Sequence, residues 1–599
     1  MAPRGWRPYV VAFVLYQALS LAAWWHLVAG GLSRTLPPGS GDPGQEVWFL
    51  AWLPHALTAG TNPFFSHAIF APAGVNLLAN TSVDLLGLVL WPVTAAAGPV
   101  AAFGLACLLA PAVSAVAAYA FCARYVAWRP AAFVGGLCYG FGPFVGTDLR
   151  FGHLDLTWLP IPPLIFLALD ELLVRRRRRP VTVGVALGLA VCAQFFLSTE
   201  MLAVTAVMVA AGLVLAAAAH PRLVLPRLSW AWPGLATAGG LAVALLGYPA
   251  WMAVAGPRHI SGPVWPYIDR LSATVGASVL PHGELGGVAF ISGGNGSYLG
   301  VALLLVLGGG GLAYRRSGPL RFALAMVVVA YVASLGYRLH LGSGTTPLPL
   351  PAAVLSHLPV LDSVVPERFA ALVDLFAGLA LALVVDHVRR GAPAAIGGRG
   401  QGGRARLAIA SCLAVAALAT MALVPPWPYP VRHLAGRPAF RSPLLSAPGA
   451  PASEPGRARR AAPTATAGRN VVAVYPFAPG AVSDQMVWQA RAGFPFDLAD
   501  GYALVPGHHG AIQSPPPDAL WLLLAAATIG TLALPVPPPK RRAVRAALGA
   551  DGIATVVVLG RRHGSADVLR ALTEVLGPPT AGVGSAVVWD IGDRRRPGS

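Results

Sequence analysis

The sequence predicts an all-α membrane protein with about eleven transmembrane helices, followed by a small α/β domain. Of its 599 residues, 56% are hydrophobic and only 11% are charged, and the mean hydropathy is +0.63. These values exclude a soluble globular protein and indicate many lipid-facing helices. Beyond about residue 425 the long apolar runs give way to short β-rich runs that alternate with helical stretches. The two parts therefore call for different architectures.

Eleven apolar runs approach the roughly 20 residues that a helix needs to cross the hydrocarbon core. They lie at about 9–30, 100–122, 131–147, 156–174, 181–198, 201–218, 232–255, 297–314, 320–337, 368–386 and 407–425. The run at 9–30 is too long for a signal-peptide core, so we expect a retained first span. A twelfth apolar piece, 83–97, is predicted to be a re-entrant or interfacial helix. A full crossing there would place the Arg175–Arg179 run outside.

The charged residues fix the orientation on this topology. The net charge of +19 comes almost entirely from arginine, which clusters in short loops between apolar runs. Such clustering indicates cytoplasmic loops and not nucleic-acid binding. We therefore predict a multi-pass protein of the bacterial plasma membrane, with a cytoplasmic N-terminus. The arginine-rich, lysine-poor composition is typical of a high-GC bacterial genome.

The chain divides into three predicted segments. Residues 1–425 form the polytopic domain, 426–468 a Pro/Ala-rich linker, and 469–599 an extracytoplasmic α/β domain with β-rich runs. The apolar stretch 518–534 fits either a short twelfth span or a buried helix. The five cysteines lie in apolar runs without metal-ligand spacing, so we expect buried thiols: Cys107, Cys122, Cys138, Cys192 and Cys412.

The long first outer loop, about 31–99, carries the first candidate acid. Asp42 lies in a Gly-Asp-Pro turn, and Gln45 and an aromatic stretch with Trp48 and Trp52 follow it. Tryptophan is comfortable at the membrane interface, so this stretch predicts an interfacial helix that holds Asp42 near the headgroups of the membrane lipids. The alternative is that Asp42 only caps the helix that begins near Pro43.

The second outer loop offers Asp148, Arg150, His153 and Asp155 within eight residues. These groups suit a sugar hydroxyl, a phosphate or a divalent cation; alternatively Asp155 caps a helix and Asp148 pairs with Arg150. Glu200 lies in a hairpin so tight that both flanking runs have span length. A carboxylate at that depth is expensive unless it faces a polar cavity, which favours function.

Later outer segments supply cations. Arg258 follows a Gly-Pro turn, and Arg368 stands at the start of a predicted span, where a guanidinium can grip a phosphate. The alternatives for Arg368 are snorkelling to headgroups, or pairing with Glu367 or with Asp374 two turns further along. The sequence contains no Gly-rich phosphate loop, zinc signature or nucleophile elbow, so nucleotide hydrolysis has no support.

Several of these segments resemble a bacterial, actinobacterial-type GT-C membrane glycosyltransferase. They are residues 41–52, 62–65, 136–143, 152–154, 198–200 and 366–369, together with 487–490 and 500–502 of the tail. The resemblance implies a polyprenyl-phosphate-linked sugar as donor, an envelope glycan or glycolipid as acceptor, and transfer on the outer face. It also implies an essential acid in the first outer loop, matched by Asp42. A second acid in a later outer loop is matched equally by Asp148, Asp155 or Glu200.

The chemistry expected from that resemblance is an inverting displacement. Asp42 is the expected base, Glu200 or Asp155 the second acid, and Arg368 or Arg258 the phosphate ligand, with His153, Asp148 and Gln45 around the donor. The paired-acid metal motif of oligosaccharyltransferases is not evident, so no cofactor is assigned and a divalent cation is left open. The alternatives are a transporter or flippase for a lipid-linked glycan, which predicts mid-span charges and repeats, and an inert envelope-binding scaffold.

Overall fold

The computed structural model describes residues 5–38, 41–264, 268, 271–279, 296–341, 344–358, 360–395, 410, 427–434, 470–476, 483–507, 510–512, 518–559, 565–583 and 586–591. These residues form two compact units. Unit 1 comprises Met1–Leu32, Gly104–Ala250 and Gly262–Arg432. Unit 2 comprises Ser33–Phe103, Trp251–Ser261 and His433–Ser599, so it joins the first outer loop to the C-terminal segment. The three-segment division given above stays a prediction.

Six helices among the described residues are long and apolar enough to cross a membrane: Pro99–Cys122, Leu154–Arg175, Pro180–Leu197, Thr199–Ala219, Pro226–Ala255 and Pro366–Arg390. Several begin at a proline, whose missing N–H costs nothing in the first turn and whose fixed φ suits a helix. Pro366–Arg390 is the central helix of unit 1, since its apolar window is wholly buried. Within Leu154–Arg175 the regular helix runs over Ile161–Asp170 and ends in a π-helical turn, Glu171–Arg175.

The predicted count of eleven spans is not reproduced by helix length. The first run forms Arg7–Ala23 and Trp25–Gly30, and two later runs form Gly300–Ala313 and Gly318–Ser334, all shorter than a full crossing. The run at 131–147 is broken into Arg129–Gly140 and Pro143–Phe151, because Gly142 is extended and a proline follows it. The last run, 407–425, lies outside the described residues apart from residue 410.

The segment 83–97 forms two short helices, Asp84–Val89 and Trp91–Ala97. Neither approaches the roughly 20 residues of a crossing helix. Four of the five cysteines are buried, and Cys412 lies outside the described residues. The remaining short strands are Thr35–Leu36, Phe65–Ser66 paired with Val75–Asn76, Arg338–Leu341 paired with Gly344–Pro349, and Arg432–His433.

The C-terminal segment contains the expected α/β fold. Its five-stranded sheet has the spatial order Ala581–Val583, Ala586–Asp590, Ile553–Leu559, Val471–Tyr475 and Asp497–Leu498. The last three strands in this order are parallel to one another. Ala586–Asp590 runs antiparallel to both of its neighbours, Ile553–Leu559 and Ala581–Val583. A small hairpin pairs Val505–Gly507 with Gly510–Ile512. The helices of this segment are Asp484–Arg491, Ala519–Thr528, Pro538–Ala550 and Ser565–Leu576. Every residue of Val471–Tyr475 is buried, as expected of a central strand.

The apolar stretch 518–534 is a buried helix, and the reading of it as a twelfth span is wrong. Its helix, Ala519–Thr528, has only ten residues and is capped by Asp518, whose side chain accepts the N–H of Trp521 at 2.8 Å. Leu520, Leu523 and Leu524 pack into the core of the α/β fold. Its apolar character therefore serves packing against the sheet.

The aromatic helix after Asp42 is also different from the expectation. Asp42–Ala59 is a helix, but Trp48, Phe49 and Trp52 are at most 5% exposed. Trp48 stacks on Trp52 and donates its indole N–H to Oε1 of Gln489 at 2.6 Å. The aromatic rings thus belong to the protein core of unit 2 and not to a lipid interface.

Candidate active site

Helix ends in unit 1 bring together five of the predicted site residues. Asp148 lies near the end of helix Pro143–Phe151, and Gly152 ends that helix with φ 86°, a conformation that favours glycine. The reversal places His153 immediately before the short helix Leu154–Thr157, whose first turn contains Asp155. Glu200 and Arg368 start two further helices, so all five residues lie at helix termini.

Asp148 joins two of these groups. Its Oδ1 is 2.9 Å from Nδ1 of His153 and 3.5 Å from Nη1 of Arg368. The Asp148 side chain is 8% exposed and that of Arg368 15%. The alternative pairing of Asp148 with Arg150 is therefore replaced by a buried pairing across helices.

Glu200 approaches the same guanidinium from the opposite side. Its Oε1 accepts the backbone N–H of Val365 at 2.8 Å, and its Oε2 lies 3.5 Å from Nε of Arg368. That second contact has ion-pair distance but not hydrogen-bond geometry. Ser198 caps the helix by accepting the N–H of Met201, so the Glu200 carboxylate is left to face the cluster.

Asp155 completes the cluster. It is close enough to His153, Arg368, Glu200 and Asp148 to interact electrostatically with each of them. His153 precedes the helix without capping it, and Asp155 stands within the first turn, so a capping role for Asp155 is not seen. Asp148, Glu200 and Asp155 thus share one guanidinium, so the carboxyl groups outnumber the arginine. Asp148, Asp155 and Glu200, the three candidates for the second acid, therefore lie in one cluster.

Asp374 has a role that the sequence did not indicate. Its side chain is 1% exposed, and Oδ2 accepts the backbone N–H of Phe144 at 3.4 Å. Phe144 is in the first turn of helix Pro143–Phe151, which carries Asp148. Any Cβ at Gly142 would lie 2.4 Å from that same Oδ2, so only glycine allows the approach. Asp374 therefore holds a broken helix in place, and the alternative in which it pairs with Arg368 is not seen.

Asp42, in unit 2, is the first residue of helix Asp42–Ala59 and is half-buried. The N-cap position is occupied by Gly41, and Asp42 is already inside the helix. The alternative in which Asp42 is the N-cap is therefore not supported. A Cβ at Gly41 would lie 2.7 Å from the ring of Tyr502. Gln45 donates its amide to the carbonyl of Tyr502 at 2.6 Å. The tail of the chain thus fixes the turn that presents Asp42.

Arg258 belongs to the same unit as Asp42. Its backbone is left-handed, with φ 52°, which is strained for a residue with a Cβ. Burial lowers the pKa of its guanidinium, and its buried Nε has no hydrogen-bond partner among the described groups. Asn76 steadies this turn by donating Nδ2 to the carbonyls of Met252 at 2.7 Å and Pro257 at 3.1 Å. A half-buried guanidinium whose Nε lacks a described partner is well suited to an anion.

Two buried polar residues were not among the site residues predicted from the sequence. Gln489 is fully buried and uses both ends of its amide, accepting from Trp48 and donating to the carbonyls of Ala68 and Phe496, each at 2.7 Å. Asp84 is 6% exposed, and burial raises its pKa to about 7 although Ser82 donates a hydrogen bond to it. For Asp84, the one signal in the sequence was the position of an acid inside the apolar piece 83–97.

A metal site does not emerge from the described side chains. Among those residues there is no group of three or more His, Cys, Asp or Glu side chains that could hold a metal ion. The acids of the cluster are instead bridged by Arg368. The divalent cation left open by the sequence stays untested.

The arrangement of helices and of the C-terminal sheet has a counterpart among solved structures. The arabinofuranosyltransferase AftD from Mycobacteria aligns with 98% of this chain at a TM-score of 0.52 and 14% sequence identity. The chain shares its fold with AftD. The chain spans 40% of the length of AftD.

Two structures of the Archaeoglobus fulgidus oligosaccharyltransferase AglB are also similar. One holds an inhibitory peptide and a dolichol-phosphate, and the other a tethered acceptor peptide. Each aligns with 92% of this chain and 69% of AglB at 14% identity, with TM-scores of 0.45 and 0.46. No protein-family model matches the sequence, and no curated protein sequence matches it. The fold assignment rests on AftD.

Proposed function

We propose that the protein is a membrane glycosyltransferase that moves a sugar from a polyprenyl-phosphate donor to an envelope glycan or glycolipid on the outer face. The observation that carries the proposal is the buried cluster of Asp148, Asp155, Glu200, His153 and Arg368 in a chain with the fold of an arabinofuranosyltransferase. Carboxylates at the ends of apolar helices are expensive to keep, and sugar hydroxyls are suitable partners for them.

The proposed reaction is a single inverting displacement. An acceptor hydroxyl oxygen forms a bond to the anomeric carbon of the donor sugar, while the bond from that carbon to the phosphate oxygen breaks. Its electron pair leaves with the polyprenyl phosphate, and the hydroxyl proton passes to a carboxylate base. The leaving phosphate needs no proton, only a stabilising positive charge.

We assign the base to Asp42. Asp42 is the first residue of a helix, and the preceding Gly41 packs against Tyr502. The backbone position from which its carboxylate extends is therefore fixed. Arg258, in the same unit, is the better candidate for the phosphate, because its Nε is buried and has no hydrogen-bond partner among the described groups. Arg368 is less suited to that task, since two carboxylates already flank it.

Asp155 is the proposed second acid. Asp148 is engaged by His153 and Arg368, and Glu200 by Arg368 and the N–H of Val365. Asp155 has electrostatic neighbours but no side-chain hydrogen bond among the described residues, so we assign its oxygens to a sugar hydroxyl. Asp148, Glu200 and Arg368 then position Asp155 and balance part of its charge.

The decisive experiment uses a deletion strain and membranes supplied with polyprenyl-phosphate-linked sugars. Loss of the protein is expected to shorten an envelope glycan and to accumulate the lipid-linked donor. Wild type and the control Asp362→Asn should restore transfer, whereas Asp42→Asn and Asp155→Asn should not. Asp362 is a suitable control because the one described hydrogen bond of its side chain comes from the hydroxyl of neighbouring Ser363. Full transfer by Asp42→Asn would refute the base assignment, and an unchanged envelope in the deletion strain would refute the function.

A further inference from the structure

Unit 1 contains a cavity whose lining includes none of the residues of the acid cluster. It is a cavity of about 240 Å³ among the helices of unit 1. Its apolar lining includes Phe121, Phe166, Val209, Gly212, Phe322 and Phe376. Its polar lining consists of Tyr125, Asp170, His220 and Arg227. The cavity therefore combines an aromatic interior with a few charged groups.

On helix Thr199–Ala219, a residue of the acid cluster and a polar residue of the cavity lie at opposite ends. Helix Thr199–Ala219 has Glu200 in its first turn, and His220 immediately follows its last residue. Its 21 residues span about 30 Å at 1.5 Å per residue, which matches the hydrocarbon thickness of a bilayer. The polar lining of the cavity thus lies towards the end of this helix that the charge distribution predicts to be cytoplasmic.

The charges around the cavity are positive on balance. Asp170 is neutralised within the protein, because Oδ2 lies 3.1 Å from Nε of Arg124 and 3.0 Å from Nε of Arg175. Its Oδ1 accepts the hydroxyl of Tyr125 at 3.1 Å. Arg227, by contrast, makes no ion pair with any side chain that the structure describes. One turn further, the guanidinium of Arg176 lies over the Trp230 ring, which adds a second cation to the same surface.

We propose that this cavity binds an acyl chain of an anionic membrane phospholipid, with the headgroup at Arg227 and His220. Basic pockets between transmembrane helices on the cytoplasmic side are suited to anionic headgroups. The aromatic and aliphatic lining excludes a soluble polar ligand, and the uncompensated guanidinium selects a negative headgroup over a zwitterionic one. This site is independent of the proposed transfer reaction.

The structure supplies two matched pairs of variants. Gly212→Leu fills the cavity, because a Cβ at Gly212 meets Phe322 and Met326 only at ordinary contact distances of 3.4 and 3.5 Å. Its control is Gly240→Leu, where a Cβ meets nothing within 4 Å. Arg227→Gln removes the charge at the cavity, and Arg222→Gln removes an exposed charge outside its lining.

The test compares the full-length proteins in nanodiscs of phosphatidylglycerol and phosphatidylcholine, with retained lipid measured by native mass spectrometry. Wild type and both controls should retain phosphatidylglycerol at least fivefold over phosphatidylcholine. Arg227→Gln should lose that preference, and Gly212→Leu should retain neither lipid. Equal retention of both lipids by wild type, or a wild-type pattern in Arg227→Gln, would overturn the proposal.

A second measurement tests the proposal without Gly212→Leu, in case that variant does not fold. Phosphatidylglycerol added to detergent-solubilised protein should raise the thermal midpoint of wild type and Arg222→Gln, but not that of Arg227→Gln. An equal rise in all three proteins would assign the lipid effect to the general surface and contradict the proposal.

Discussion

Arg368 lies with Nη1 3.5 Å from Oδ1 of Asp148, although the two residues belong to different helices of unit 1. Glu200 flanks the same guanidinium at 3.5 Å. A single cation therefore offsets carboxylates from two other helices, and the arrangement ties the starts of helices Thr199–Ala219 and Pro366–Arg390 to helix Pro143–Phe151.

Replacement of Arg368 by methionine should disable and destabilise the protein together. Removing the cation leaves buried carboxylates uncompensated, which we expect to cost about 2 kcal/mol in a site that is partly solvated. Transfer activity should fall at least 100-fold. Arg338→Met, an exposed arginine elsewhere in unit 1, should change neither quantity. Thermal unfolding in detergent and a transfer assay measure both effects, and retained activity in Arg368→Met would show that the cluster does not serve transfer.

Two substitutions of Asp374 should behave differently. Asp374→Asn keeps an oxygen that accepts the N–H of Phe144, so we expect little change in stability. Asp374→Leu leaves that buried N–H without its acceptor, at a cost of about 2 kcal/mol. Activity should fall with Leu and largely persist with Asn, since helix Pro143–Phe151 carries Asp148. Equal losses in the two variants would assign Asp374 a role that needs its charge.

Asp84 should make stability depend on pH. Burial raises its pKa to about 7, whereas the unfolded chain has an ordinary value near 3.8. The folded state binds this proton more tightly, so the contribution is complete below about pH 4 and is lost as the pH rises to about 7. The loss is on the order of 4 kcal/mol at most.

The measurement is thermal unfolding between pH 4 and pH 8 for three proteins. Asp84→Asn should flatten the fall in stability over that interval, and the exposed control Asp567→Asn should not. Ser82→Ala removes a hydrogen bond that lowers the pKa and should extend the fall to higher pH. An unchanged profile in Asp84→Asn would contradict the assignment.

Gln489 should tolerate no change of its amide. Gln489→Glu replaces an NH₂ that donates to Ala68 and Phe496 with an oxygen that faces two carbonyls. We expect a loss of about 3 kcal/mol, and a smaller one for Gln489→Met, because an apolar side chain avoids the buried charge. Limited proteolysis of the tail reports the effect. Equal protease resistance in wild type and Gln489→Glu would show that the amide does not hold unit 2 together.

The sequence was most informative about features that depend on residues close together along the chain. Apolar length predicted eleven spans, and six of them coincide with helices long and apolar enough to cross a membrane. The β-rich runs located the α/β fold, because lipid and sheet each impose a period and a length on the chain. The same reasoning left 518–534 open between a span and a buried helix, and it failed for Trp48 and Trp52. An apolar helix or an indole can be buried in protein as well as in lipid, and composition does not distinguish the two.

The sequence by itself also named every member of the acid cluster, since carboxylates and arginines stand out at the ends of apolar runs. Only the tertiary structure decided how they combine. Arg368 contacts Asp148 and Glu200 and not its helical neighbour Asp374, and Asp374 instead holds the N–H of Phe144. The physical reason is that a pairing between helices depends on their packing and on a close approach that Gly142 permits. Neither is written in the spacing of residues along one chain.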